Sequence, residues 1–281
     1  MQTDNRIFSF DIVIFALLFG LLPIDMLNGY LLRDVGVIAT ISAAQLYKFS
    51  LLGLLFIRIN STEKVILLSI FSLLLIPTAY QVVKSFNIQL IFTDTVKITK
   101  YLGSVLAFFY FRSIFINKGH LLKWVYRWIL FSFIILVINI FLKLLGIGFP
   151  MYVLDTIGIG SKGFFYAGNE VSAVLIILSS FLMYWYQFYD KKMSFIIVGV
   201  LAVLTGLYLT SKTAILGTTF TFLYFFILKP NRKKSSMKKK LSFLLSFFIL
   251  LPLGLYIIVE YLKTSDVMES FSYFWNELDI Y

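Results

Sequence analysis

The chain has 281 residues, 60% of them hydrophobic and only 14% charged, with a mean hydropathy of +0.90. A soluble domain carries about 25% charged residues, so the composition excludes one. The absence of cysteine excludes disulfides and thiolate metal sites, and one histidine leaves little to ligate a transition metal. The net charge of +11 does not point to nucleic acid, because seven of the 25 basic residues fall within 229–240. A basic run beside an apolar block is a topology determinant that faces anionic lipid.

Nine apolar blocks follow one another, each near the ~20 residues that cross a bilayer as a helix. The first, 10–27, contains Asp11, Pro23 and Asp25 and no small-residue cleavage site follows it, which predicts a retained helix. The others are 36–57, 65–83, 96–115, 124–145, 170–188, 193–209, 213–228 and 241–260. Backbone groups in lipid must be paired within the segment, so the predicted fold class is all-α: a polytopic transmembrane bundle of about nine spans. The predicted organisation is a membrane domain over 1–260, then the start of an external loop over 261–281.

With the N-terminus inside, 16 basic residues fall on inner connections and eight on outer ones. The 229–240 run supplies most of that bias, and an inner N-terminus is the predicted orientation. Lys48 lies within the second block, where an unpaired lysine costs roughly 2.5–3.5 kcal/mol, and Asp25 is its predicted partner. Lys97 and Lys100 stand one turn apart near Asp94 at the start of the fourth helix. They either extend an outer cationic surface or contact lipid headgroups. No role is assigned to His120, and the abundant aromatics read as lipid-facing or interhelical packing.

Two segments differ from generic membrane helix. GIGSKGFFYAGNEVSAV runs from Gly158 to Val174 into the sixth helix, with Asn169 placed as an N-cap and Glu170 in the first turn. LTSKTAILG, from Leu209 to Gly217, is the brief connection between helices seven and eight, with Thr210 or Ser211 as the cap. The topology puts both on the outer face. Each opens a helix whose N-terminus suits an anion, with Lys162 and Lys212 close by. The alternative is structural: Asn169 and Ser211 only cap, and the two lysines only reach headgroups. Glu170 at the start of a span calls for a partner or water. Lys162 and Lys212 are the candidates.

Lys162 to Glu170, followed by Thr210 to Gly217, resembles the O-antigen polymerase and ligase superfamily, and in particular Gram-positive polymerases of capsular or exopolysaccharide repeat units. The resemblance follows the order of helices through the ninth. It implies glycosyl transfer without metal or cofactor on the outer face of a bacterial plasma membrane. The donor would be a glycan on undecaprenyl diphosphate, and other polysaccharide-assembly proteins are implied as partners. Lys162, Glu170 and Lys212 take the catalytic positions, the lysines stabilising the departing diphosphate. Asn169, Ser211, Lys97 and Lys100 take substrate-binding positions. Many members have arginine where this chain has lysine, which keeps the charge without the bidentate fork.

Members continue into a large external loop and further helices, so the resemblance predicts a fragment, a truncated gene or a partner that supplies the remainder. The competing readings are a flippase for the same lipid-linked sugars and a non-catalytic subunit of the assembly machinery. Nine spans do not halve as transporter repeats do, and no Gly-rich phosphate loop or paired-carboxylate metal site supports a nucleotide-dependent enzyme.

Overall fold

The computed structural model describes residues 3–33, 42–86, 89–117, 119–154, 157–166 and 168–227. Among them it is helical apart from one small hairpin, and it divides into two units, Met1–Phe131 and Ser132–Tyr281. The ninth predicted span, the 229–240 run and the 261–281 tail lie outside the described residues.

The first unit holds α1 (Thr3–Arg33), α2 (Ala43–Arg58), α3 (Ser61–Ser85) and α4 (Gln89–Asn117). A single 3-10 turn, Gly119–Leu121, then leads into α5 (Leu122–Phe141), whose second half belongs to the other unit. Polar capping sets the α2–α3 boundaries. Ser42 and Gln45 form a capping box before α2, and Asn60 with Glu63 does the same before α3. α1 packs on α2, while α2 and α3 both pack on α4.

Charge is buried in this unit. Asp11 is 2% exposed and accepts from Arg58 Nε at 3.0 Å, Arg58 Nη2 at 3.3 Å and the Tyr110 hydroxyl at 3.2 Å. One carboxylate thereby ties α1, α2 and α4 together. Further along the same helix pair, Lys48 meets its predicted partner Asp25 at 2.7 Å.

In the second unit, α5 ends in a 3-10 turn, Leu142–Leu145, closed by Gly146. The antiparallel hairpin of β1 (Tyr152–Leu154) and β2 (Ile157–Ile159) precedes α6 (Gly168–Phe188), α7 (Lys192–Leu209) and α8 (Lys212–Ile227). These three helices pack on one another, and small residues let them close. An added Cβ on Gly206 would stand 3.1 Å from Ala214 O, and one on Gly217 would meet Ile176. Such contacts carry helix association where lipid removes the hydrophobic drive. The hydroxyls of Thr205 and Thr218 are spent on carbonyls of their own helices, Leu201 at 2.6 Å and Ala214 at 2.7 Å.

Five described stretches are long and apolar enough to cross a membrane: Phe10–Arg33, Ser61–Ser85, Gly119–Leu145, Gly168–Phe188 and Lys192–Leu209. Three other predicted spans are helices that do not meet that measure. α2 and α8 have 16 described residues each, about 24 Å against a hydrocarbon core of about 30 Å. α4 is long enough at 29 residues, but Asp94, Lys97, Lys100 and Arg112 interrupt its apolar surface.

Candidate functional site

The segment between α5 and α6 is held by a set of short-range ties. Phe149 N donates to Gly163 O at 2.8 Å and Lys162 N to Phe149 O at 3.1 Å, so the approach to α6 is bridged back to the start of the hairpin. Lys143 Nζ donates to the carbonyls of Gly158, at 3.0 Å, and Gly160. Ser161 is fully buried; its hydroxyl donates to Ile140 O at 2.6 Å and accepts from Gly163 N at 3.2 Å. Its backbone N–H reaches Tyr208 O, at the end of α7, at 3.2 Å. Asn139 of α5 accepts from Phe164 N at 3.1 Å. Gly163 has φ +59°, and an added Cβ would collide with Asn139, so only glycine fits this turn.

These ties fix Lys162. It is 6% exposed, and its ammonium donates to Tyr166 O at 3.0 Å. Its Cδ passes 3.8 Å from where a Cβ of Gly168 would be, so the side chain runs along the start of α6. Here one expectation is corrected. α6 begins at Gly168, so Asn169 stands inside the first turn and is not the N-cap. Gly168 can open the helix because it leaves room for Met151, whose sulfur occupies the space a side chain would need. Asn169 and Glu170 are both exposed on that first turn.

α8 starts as expected. Ser211, 3% exposed, caps it by accepting from Ala214 N at 3.4 Å, while its carbonyl accepts from Ile215 N at 2.9 Å. Thr210 instead takes a left-handed conformation that ends α7. The Ser172 hydroxyl of α6 donates to Ser211 Oγ at 2.9 Å. The starts of α6 and α8 are therefore neighbours, which sequence alone did not establish. Lys162 lies at the first and Lys212, exposed, is the first residue of the second.

Comparisons with protein-family models, with curated proteins and with solved structures find no match to this chain.

The remaining predicted residues lie in the first unit. Lys97 of α4 is exposed and paired with Asp94 at 3.6 Å, and Asp94 also accepts from Thr78 at 2.9 Å. Lys100 stands on the next turn of the same helix. Neither belongs to the unit that holds Lys162 and Lys212. Asn139, Lys143, Ser161 and Ser172 were not singled out from sequence. Signals were present: Ser161 and Ser172 lie in the segment singled out over 158–174, and the apolar block 124–145 holds a cation, Lys143, and an amide, Asn139. Asn139 is fully buried and its Nδ2 has no hydrogen-bond partner.

Two helix starts each carry about half a positive charge, and two lysines stand beside them. The arrangement suits an anion with several acceptor oxygens. Among the described residues no cluster of three metal-ligating side chains occurs.

Proposed function

We propose that this chain is a nine-span protein of the bacterial plasma membrane, N-terminus inside, that polymerises lipid-linked glycan on the outer face. In the proposed transfer, the bond from the donor's anomeric carbon to the diphosphate oxygen breaks. A bond to an acceptor hydroxyl oxygen forms, and undecaprenyl diphosphate departs. Lys162 and Lys212 hold and neutralise the diphosphate, in the manner of an oxyanion site. Glu170 takes the acceptor proton, and Asn169 and Ser211 line the acceptor side.

The observation that carries this reading is the Ser172–Ser211 hydrogen bond, which makes neighbours of the two segments on which the family resemblance rests. The test is glycan length in cells that depend on this chain. Lys162→Ala and Lys212→Ala should each abolish long polymer while single repeat units still reach the outer leaflet. Polymer of normal length in both variants would end the assignment.

A second reading, a flippase for the same lipid-linked units, draws on the buried Asp11–Arg58 pair, since intramembrane charge often marks a transport path. It predicts that loss of Asp11 leaves the units trapped on the inner leaflet.

A further inference from the structure

The first unit contains an apolar trough remote in sequence from both segments just described. α2 and α3 both lean on α4 and leave between them a cavity of about 330 Å³. Phe49, Gly53 and Phe56 of α2, Phe71 of α3, and Thr99 and Gly103 of α4 line it. Thr99 is the one polar side chain among these, and its hydroxyl is spent on Thr95 O at 2.7 Å. The walls therefore offer a ligand apolar contact alone. From Phe49 to Phe56 the trough runs about 10 Å along the helix axis at 1.5 Å per residue. Its floor opens at Gly53, where an added Cβ would meet nothing within 4 Å.

One end is marked by charge. Lys64 lies in the first turns of α3, and its ammonium sits 5.8 Å from the centroid of Phe56, a wall of the trough. It donates to Ile57 O at 3.2 Å, one use of the three donors an ammonium carries. Glu63, the neighbouring carboxylate, is turned to Asn60 N at 3.1 Å. The end of the trough therefore presents an ammonium at the start of α3, one of the stretches long and apolar enough to cross a membrane. An apolar channel that runs along the helices, with a cation where the helix begins, matches an anionic lipid with its chain in the bilayer.

We propose that this trough binds one hydrocarbon chain of an anionic phospholipid, with the headgroup phosphate on Lys64. The site is independent of the polymerase reading, because no residue of it belongs to the transfer machinery.

The test is native mass spectrometry of the full chain after exchange with vesicles of equal phosphatidylglycerol and phosphatidylcholine. The wild type should retain one phospholipid and prefer phosphatidylglycerol. Gly53→Leu fills open space and leaves the fold intact, which size-exclusion chromatography checks. It should cut retention about tenfold, the worth of roughly two buried methylenes. Lys64→Gln should keep the chain but lower the preference about fivefold, the worth of one basic residue near a charged surface. No retained lipid in the wild type, or undiminished retention in Gly53→Leu, overturns the site. An unchanged preference in Lys64→Gln overturns the headgroup contact. The chain has no native cysteine, so Gly53→Cys gives a single thiol. A disulfide-linked dimer of that variant would assign the trough to a second copy and overturn the lipid.

Discussion

The two units bury polar groups by different means. In Met1–Phe131 a carboxylate, a guanidinium and a phenol from three helices converge at Asp11, and their charges cancel inside the packing. In the second unit Ser161, Ser172, Ser211 and Asn139 are equally buried, but they bond to backbone or to one another and carry no charge. The contrast is one of charge. A buried ion pair punishes the loss of either partner heavily. Hydroxyl and amide ties, even one that joins two helices as Ser172–Ser211 does, leave no charge behind when lost and cost less. Among the described residues of the second unit Lys162 is the exception, a cation kept 6% exposed by a backbone carbonyl and a covering of local structure.

The largest test of that contrast is Arg58→Ala. It removes the counter-charge of buried Asp11 and should cost about 3–5 kcal/mol, read as a lowered thermal transition in detergent. Arg58→Met combined with Asp11→Leu should recover most of the loss. If the double variant is no better than the single one, the pair is not the unit's main tie. Next comes Gly163→Ala. A left-handed alanine pressed on Asn139 should cost about 1–3 kcal/mol and expose the 148–166 segment to protease, with the thermal transition of the first unit unmoved. The smallest effect is expected from Ser211→Ala, which removes the α8 cap for about 1 kcal/mol. Faster amide exchange limited to the first turns of α8 and α6, which Ser211 joins through Ser172, would confirm an uncharged tie of small cost, and exchange spread through α7 would contradict it.

Much of the helical frame was legible because the blocks are long and their interruptions are chemically strong. α7 was expected over 193–209 and lies at Lys192–Leu209; α6 was expected to start at 170 and starts at Gly168. The two-residue difference has a cause outside helix propensity, the space Met151 needs beside Gly168. The hairpin was not expected, since Tyr152–Leu154 and Ile157–Ile159 are three residues each, too short for an alternating pattern. Lys48 and Asp25 could be matched because each was conspicuous inside an apolar block. Asp11 and Arg58 could not, because Arg58 reads as an ordinary basic residue at a helix end. Of the candidate site, the lysines and the Ser211 cap were legible. The adjacency of α6 and α8 was not, since it depends on Gly217 and on Ser172, a serine that looks unremarkable in sequence.

The Asp11–Arg58 pair also has a consequence in time. Its partners are 47 residues apart, and the chain emerges from the ribosome at about 5–20 residues per second. For several seconds α1 therefore exists with its carboxylate made and its guanidinium not yet synthesised. A helix with an uncompensated charge is a poor candidate for early release into lipid. The ion pair is therefore completed only when Arg58, the last residue of α2, has been made.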